Sequence, residues 1–338
     1  MSLLTLGIGV WSQWALGIPT TRKVELIQKF HPVVKSGSVD LFIPLPIRDN
    51  DYQKVLVETH ESNANWVKER DIPFNQGKDK ARVLHAHWDQ ATQPSLELTE
   101  TLLLSDREGG SANAKLDSYF LRPTKYVPTD GIVKERALKI THSISDPDQK
   151  AKAIYDWIVE NTFRDPKIRG CGRGDVKSTL LADNLGGKCA DLNSLFVGLA
   201  RASGIPAREI WGLRVSPSVR SSSLGKEGDV SGAHHCRAEY YSAKRKAWVP
   251  SDPADIRKVI LQEKLNLEDP HVKTLRKQLF GSSEGNWVAF NYGRDIRLPE
   301  GPEINFLMYP QLMVNGSLSP GFESTDIGYT FTSRVLDR

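Results

Sequence analysis

The sequence predicts an α+β fold in which an antiparallel β domain precedes a mixed core of helices and strands. Two patterns carry this prediction. Between Thr21 and about Ser105, apolar and polar residues alternate along short runs separated by turn sequences, which is typical of antiparallel strands. Further along, apolar residues recur every three or four positions, as in amphipathic helices. The 338 residues are enough for two domains whose cores need no disulfides.

The first 20 residues form a segment of their own. The run Leu3 to Val10 is apolar but too short to span a bilayer, and no basic residue precedes it as in an export signal. A remnant of an export signal and an N-terminal strand both fit this run. We therefore expect three parts: this segment at 1–20, the antiparallel β domain at 21–108 and the second domain at 109–338.

Two details of the β domain bear on its role. The run Leu41 to Ile47 holds two prolines, which cannot donate to a strand ladder, so an edge strand or an extended connector is predicted. His85 and His87 share one strand face, but without a third ligand they indicate polar surface rather than a metal site. The domain is expected to support or shield its partner.

Several segments of the second domain have recognisable patterns. Asp146-Pro147 opens a predicted helix. The stretch 163–183 contains RGCGRGD and is predicted to be a loop that forms a wall of a cleft. The serine- and glycine-rich stretch 217–232 is interpreted as a mobile loop, either a lid or a solvated insertion. Strand patterns return between 287 and 335 and are expected to close the second domain's sheet.

A helix is predicted to begin near Cys189. Five apolar residues lie at the spacing of one helix face: Leu192, Leu195, Phe196, Leu199 and Ala200. Gly204 and Pro206 then end the helix, because glycine and proline are typical just past a C-terminus. Cys189 is therefore placed in the first turn, about four turns before the end.

This position favours reactivity of the thiol. Unpaired N–H groups and the helix dipole stabilise an anion at a helix start, which lowers a thiol's pKa. Gly186 and Gly187, just upstream, would let a substrate approach the sulfur closely. The alternative is that Cys189 is a small buried apolar residue. This stretch alone leaves both interpretations open.

The stretch 234–255 is predicted to form a β-hairpin with a polar, cationic turn. A histidine at the head of the first strand and an aspartate just after the second can lie side by side across the pair. Such a pair could orient an imidazole.

Three motifs resemble the transglutaminase-like superfamily, relatives of the papain-type cysteine peptidases. They are GKCADL, HCRAEYY and WVPSDPA, in that order along the chain. The resemblance implies a papain-like core and a catalytic triad of Cys189, His235 and Asp252. His235 is preferred to His234 because the family's histidine lies four residues before a strand glutamate, here Glu239. The adjacent histidines leave a one-residue ambiguity, and on a strand they face opposite ways.

The activity that the resemblance implies is thiol chemistry at an amide bond. Cys189 would attack the carbonyl, His235 would transfer the proton, and Asp252 would hold the imidazole tautomer. The thioester acyl-enzyme is resolved by water in hydrolysis and by a primary amine in transamidation. We expect a cysteine peptidase, amidase or acyltransferase. The alternative is a silent site in a binding or scaffold module, although all three side chains are present.

The reaction also requires an oxyanion hole. The N–H group of Cys189 is the natural first donor, and the second stays open among Asn184, Lys188 and Trp157. Ala190 stands where animal transglutaminases have tryptophan. The resemblance is therefore to bacterial and archaeal members, which makes the protein cross-linking of the animal enzymes less expected.

Charge and cysteine content narrow the alternatives. A net charge of +4, from 45 basic and 41 acidic residues, argues against a nucleic-acid groove. The three cysteines are not a disulfide framework, although Cys171 and Cys236 could pair and leave Cys189 free. A zinc site from Cys171, Cys236, His234 and His235 lacks the usual spacing. We expect no metal and no cofactor.

The expected partner is a protein or peptide substrate, cell-wall peptides included, with no nucleic acid and no membrane span. The resemblance also favours an extracytoplasmic location, periplasmic or secreted, while a cytoplasmic one stays open.

Overall fold

The computed structural model describes residues 20–112, 118–182, 184–319, 321 and 323–337. In these residues the chain forms an antiparallel β-sandwich beside a third sheet that packs against helices. The α+β class predicted from the sequence is confirmed. The run Leu3 to Val10 lies outside the described residues. None of the described helices has the length and apolar character that a bilayer crossing requires.

The sandwich consists of two sheets with one apolar core between them. The order of the first sheet is Gly228–Asp229, Tyr329–Asp337, Thr21–Phe30, Leu96–Ser105, Gln53–Ser62 and Asp49–Asn50. The order of the second is Ser317–Ser319, Gln311–Val314, Val39–Pro44, Asp79–Trp88 and Trp66–Phe74. Every second residue of Leu96–Ser105 is buried, as the alternating sequence pattern predicts for a strand with one face on a core.

Strands from the end of the chain complete both sandwich sheets. Tyr329–Asp337 pairs with Thr21–Phe30, and Gln311–Val314 pairs with Val39–Pro44. Of the strands between 287 and 335, Trp287–Asn291 joins the third sheet as expected. The later ones do not, so that part of the expectation is wrong. The division at residue 108 stays a prediction, but strands from both sides of it share these two sheets.

The prediction that the proline-containing run 41–47 forms an edge strand or a connector is wrong. Val39–Pro44 is a central strand, bonded on one side to Asp79–Trp88 and on the other to Gln311–Val314. The prolines are tolerated because Pro44 is the last residue of the strand and lies beyond its second partner, whose pairing ends at Phe42.

The two histidines of this sheet are also not simply surface residues. Both rings bond to Oδ1 of Asp40, with Nε2 of His85 at 2.8 Å and Nδ1 of His87 at 2.7 Å. His85 is buried and stacks on Phe42. The prediction of polar surface is wrong for His85, because a neighbouring strand supplies the carboxylate that satisfies it.

The third sheet and the helices form the rest of the molecule. The order of the sheet is Trp287–Asn291, Ala207–Arg214, His234–Ser242, Ala247–Ser251 and Ser111–Ala112. The helices are α1 (Gly131–Thr141), α2 (Pro147–Asn161), α3 (Val176–Leu181), α4 (Cys189–Ala202), α5 (Pro253–Gln262), α6 (Pro270–Gln278) and α7 (Ser324–Ile327). Two-residue ladders pair Phe163–Arg164 with Gly186–Gly187, Arg107–Glu108 with Ser282–Ser283, and Ile296–Arg297 with Glu303–Ile304. Single 3-10 turns occur at Asn75–Gly77, Ser118–Leu121 and Ser222–Leu224.

Helix α4 is the centre of this half of the molecule. It packs against α1, α2, α3 and α5 and against the strand His234–Ser242, and all of its residues are buried. It begins at Cys189 and is followed by Gly204 in the left-handed region, with φ of +80°. The bounds predicted from the apolar spacing are therefore confirmed.

The serine- and glycine-rich segment 217–232 is tied down rather than solvated. Glu263 of the segment after α5 accepts hydrogen bonds from the hydroxyl of Ser221 and the N–H of Ser223. Leu224 is buried, and Gly228–Asp229 adds a short strand to the sandwich. The alternative of a solvated insertion is wrong because these serines serve as donors to carboxylates, whereas the alternative of a lid stays a prediction.

Candidate active site

The start of α4 is fastened to the glycine-rich loop that precedes it. The carboxylate of Asp191, in the first turn, accepts hydrogen bonds from the N–H groups of Lys188 at 3.0 Å, Arg173 at 3.0 Å and Gly174 at 2.9 Å. Gly172 lies so close that a Cβ there would be 1.9 Å from Oδ2 of Asp191, and its φ is +89°. The RGCGRGD sequence thus needs glycine at this contact.

Cys189 is the first residue of α4, and its side chain is only 2% exposed. The carbonyl oxygen of Cys171 lies 4.0 Å from its sulfur and accepts a hydrogen bond from the N–H of Ala190 at 2.9 Å. The thiol of Cys171 donates to the carbonyl of His234 at 3.1 Å. Its N–H donates to the hydroxyl of Tyr309 at 2.8 Å. The loop is therefore held from both sides, next to the sulfur.

All three cysteines are buried and free. The pairing of Cys171 with Cys236 that the sequence left open does not occur. The S–H of Cys171 donates to the carbonyl of His234 instead, and Nδ2 of Asn193 lies 4.0 Å from the sulfur of Cys236. The loop and the strand that carry these two cysteines approach the same helix start, so both thiols lie near Cys189 and influence its pKa.

The network favours a thiolate at Cys189. The hydrogen bond from Cys171, followed by the one from Cys236, lowers the pKa of Cys189 well below its usual value. His235 lowers this pKa further, and burial opposes the shift. The hydrogen bond to Cys189 raises the pKa of Cys171 well above normal, and burial does the same for Cys236. Negative charge is thus concentrated on one sulfur of the three.

His235 and Asp252 lie beside this thiol in the arrangement the hairpin suggested. Nε2 of His235 is 2.7 Å from Oδ2 of Asp252, so Nδ1 is the ring nitrogen left for other contacts. Asp252 is the residue that caps α5, and its Oδ1 accepts from the N–H of Asp255 at 3.2 Å. Asn193, one turn along α4, donates to Oδ1 of Asp252 at 3.2 Å and to the carbonyl of Cys236 at 2.8 Å.

A second carboxylate supports the imidazole. Oδ1 of Asp255 lies 3.6 Å from Nε2 of His235 and forms a buried ion pair with Arg214. Burial and Arg214 lower the pKa of His235, but Asp255 and Asp252 raise it, and the net result lies above the usual value. Burial raises the pKa of Asp255, but Arg214 and His235 bring it well below normal. The imidazole can therefore carry a proton beside the thiolate.

Among the described residues, His235, Asp252 and Asp255 are close enough together to be considered as metal ligands. One ligand atom of each lies within 4.8 Å of the other two. Their lone pairs are already engaged: Asp252 bonds to the imidazole and to Asn193, and Asp255 bonds to Arg214. A cation would have to displace a buried guanidinium. The arrangement fits a group that orients an imidazole.

His234 faces away from this site, as alternation along a strand requires. Its ring packs on Tyr309, with centroids 4.6 Å apart, and on Phe331 at 5.6 Å. Burial lowers its pKa to about 4, so it is neutral near pH 7. Glu239, which set the register in the sequence, is buried and paired with Arg107 and Arg208.

The three side chains considered as oxyanion donors have different surroundings. Trp157 lies under the guanidinium of Arg136 on the outer side of α2 and lines a different surface groove. Oδ1 of Asn184 accepts from the N–H of Gly186 at 3.0 Å. Lys188 alone of the three lines a cleft of about 350 Å³ next to the thiol, together with Arg164 and Cys171.

Sequence reasoning missed Asn193, Asp255 and Arg214. Asn193 and Asp255 each had a local signal, since Asn193 lies four residues after Cys189 and Asp255 three after Asp252. Arg214 had none, because it reaches the site from the end of another strand, Ala207–Arg214.

Comparison with known proteins bears on the fold and the family. Residues 134–253 match the family model of the transglutaminase-like superfamily. An uncharacterized protein of Haemophilus influenzae is 37% identical over 345 residues, covering 92% of this chain and 91% of that protein. The crystal structure of a candidate cysteine protease from Cytophaga hutchinsonii superposes with a TM-score of 0.59 at 17% identity, covering 94% of this chain and 92% of that one. The motifs, the fold and the family match lead to one conclusion: the chain belongs to the transglutaminase-like superfamily.

Proposed function

We propose that the protein is a cysteine-dependent hydrolase or acyltransferase that acts on peptide or isopeptide amide bonds through a thioester, with Cys189, His235 and Asp252 as its triad. One observation carries the proposal. A buried thiol whose pKa is lowered stands at a helix start, beside an imidazole that bonds to a carboxylate at 2.7 Å. This is the combination of nucleophile, base and orienting group that covalent acyl transfer needs.

The first half of the reaction follows from these groups. The Cys189 thiolate attacks the amide carbonyl carbon, and the carbonyl electron pair moves onto oxygen. The N–H group of Cys189 donates to this oxyanion, and Lys188, which lines the cleft, is the second donor. Protonated His235 gives its proton to the leaving amine as the C–N bond breaks, and the thioester forms.

In the second half His235, now neutral, takes a proton from water or from an amine, which attacks the thioester and releases Cys189 as thiolate. Asp252 keeps Nε2 of His235 engaged throughout, so Nδ1 is the nitrogen that exchanges protons. Ala190 removes the bulky tryptophan of the animal enzymes from the position after the thiol. We propose a peptide substrate and an extracytoplasmic location on the basis of the family resemblance.

The competing function is a binding or scaffold module with a silent site. That function gives no reason for a buried thiol to have a lowered pKa, because a structural cysteine is most stable as the neutral thiol.

Brief iodoacetamide treatment at neutral pH, followed by peptide mapping, tests whether Cys189 is the reactive thiol, with Cys171 and Cys236 as internal controls. We expect alkylation at Cys189 alone. Cys189→Ala should lower turnover of a peptide and amine panel by ~10⁴-fold or more, His235→Ala nearly as much, and Asp252→Asn somewhat less. A wild-type protein that consumes no member of the panel and has an unreactive Cys189 would establish the scaffold function instead.

A further inference from the structure

A cleft that adjoins Cys189 through Lys188 and Cys171, but is not lined by Cys189 itself, is the place we assign to the substrate chain. Its volume is about 350 Å³. The loop at Gly170 and Cys171, Lys188 and the C-terminal segment that carries Tyr309 and α7 line it, together with Ser231, Gly232 and His234. It therefore lies between the glycine-rich loop and the part of the chain that completes the sandwich.

More cationic than anionic side chains line this cleft, and the two kinds differ in whether they form ion pairs. Arg164 and Lys188 are half-buried, and neither side chain forms an ion pair with a residue that the structure describes. The carboxylate among the lining residues is Glu323, and it is already engaged by Arg169 at 3.3 Å. Two cations thus line the cleft with no counter-ion among the residues that the structure describes, while Glu323 is paired with Arg169.

A second cavity shares Tyr309 with the cleft and is also lined by a cationic side chain. It has a volume of about 230 Å³, and Tyr309 lines it as well as the cleft. Its walls are mostly apolar and aromatic, with Phe306 and Tyr126 among them. Arg173 is its charged lining residue and has no ion pair within the described ranges. The loop that carries Arg173 is the one fastened to the start of α4.

A further cation, Lys258, lies near Arg164 and the thiol. Lys258, on α5, is largely buried, and burial together with Arg214 and Arg164 lowers its pKa to about 8. The carboxylates of Asp252 and Asp255 are engaged by His235 and Arg214, and that of Asp191 accepts backbone N–H groups. A substrate that enters these cavities meets guanidinium and ammonium groups, which bind carboxylates through charge-assisted hydrogen bonds.

We propose that the substrates are acidic peptides, with carboxylate side chains flanking the scissile amide bound by Arg164 in the cleft and by Arg173 in the adjoining cavity. This inference rests on the proposed function for its reaction but not for its recognition. The arginines determine which peptides bind. The triad determines whether they react.

The test compares peptides of one sequence that carry Glu, Gln or Lys at the positions flanking the susceptible amide. Affinity is measured by fluorescence anisotropy with Cys189→Ala protein, which needs no turnover, and kcat/KM is measured with wild type. We expect the Glu peptide to bind roughly tenfold more tightly than the Gln peptide and the Lys peptide to bind most weakly. The preference should shrink as NaCl is raised, because the charges are partly exposed.

Two variants assign the preference to its residues. Arg164→Gln and Arg173→Gln should each reduce the ratio of Glu to Gln affinities several-fold. Arg48→Gln, at an exposed arginine of the sandwich that lines neither cavity, should leave the ratio unchanged. Melting temperatures close to wild type verify that all three fold.

The outcomes separate the two proposals. Equal affinities for the Glu and Gln peptides, or a preference for Lys, would overturn the acidic-substrate inference even if peptides are cleaved. A preference that survives in both Arg164→Gln and Arg173→Gln would overturn the assignment to these cavities. Selective binding of acidic peptides without any turnover would support the inference and count against the enzyme.

Discussion

At Cys189 a weak acid is buried at a helix start, and burial alone would raise its pKa. The neighbouring thiols of Cys171 and Cys236 act in the opposite direction. A thiol is a weak donor that costs little to bury, so thiols can line the sulfur of Cys189 without leaving strong buried donors unsatisfied. The helix start predicted from the sequence is in the right place, but the neighbours that lower the pKa come from 18 residues before and 47 residues after it.

Cys171→Ala should make Cys189 a weaker thiolate. The neighbour with the largest effect on the pKa of Cys189 is lost, so the midpoint of the alkylation rate against pH should move to higher pH, while the rate at the alkaline plateau stays the same. Below both midpoints the rate should fall about tenfold for each pH unit of that movement. Stopped-flow alkylation between pH 4 and 10 measures it.

Cys171→Ser is the matched control for this change. Its hydroxyl can still donate, so it should retain most of the wild-type midpoint, whereas Cys236→Ala should shift the midpoint less than Cys171→Ala. A Cys171→Ala profile that overlays the wild type would show that the thiol of Cys171 does not stabilise the thiolate.

Within the strand Leu96–Ser105, one inward position is charged. Glu100 shares the core-facing side with Leu98 and Leu102, is fully buried, and accepts a hydrogen bond from Gln28 at 2.9 Å. Burial raises its pKa to about 8. The folded protein therefore keeps this carboxyl protonated near pH 7, whereas the unfolded chain ionises it near 4.5.

Glu100→Gln should stabilise the protein in a pH-dependent way. Between about pH 4.5 and 8 the folded state binds one proton more than the unfolded state, so wild-type stability falls as pH rises through this window. The variant lacks that loss. Its advantage in free energy of unfolding should be near zero at pH 4 and on the order of 4 kcal/mol at pH 8.

Urea unfolding at pH 4, 6 and 8 gives the comparison. Glu97→Gln, on the same strand at a half-exposed position, is the control and should show no such trend. An advantage that is the same at all three pH values would mean that Glu100 is ionised in the folded protein.

Local pattern and long-range pairing explain what the sequence could and could not predict. The bounds of α4 follow from residues within 18 positions of one another, and the relation of His235 to Asp252 follows from one hairpin. Val39–Pro44 was misjudged because its two partner strands lie some 40 and 270 residues away, where no local pattern identifies them. Arg214 was missed for the same reason.

At the scale of the whole molecule, the last strand connects the sandwich to the site. Tyr329–Asp337 pairs with Thr21–Phe30 near the start of the chain. Phe331, near its beginning, is 1% exposed, and its ring lies 5.7 Å from that of Phe30 and 5.6 Å from that of His234. His234 is the neighbour of His235 on the strand that enters the active site. The C-terminal strand therefore supports both the sandwich core and the position of the imidazole.

Phe331→Ala should reveal this double role. Removing a buried ring should lower the free energy of unfolding by about 3–5 kcal/mol. Because the cavity adjoins His234, the alkylation rate of Cys189 should fall as well, under conditions where the variant is still folded. Thr332→Ala changes the next residue, which is exposed on the other face of the same strand, and should alter stability by less than about 0.5 kcal/mol and leave alkylation unchanged. Urea unfolding and alkylation kinetics on the three proteins measure both effects. If Phe331→Ala destabilises the protein but leaves the reactivity of Cys189 intact, the last strand supports the sandwich alone, and the imidazole is positioned entirely by Asp252 and its neighbours.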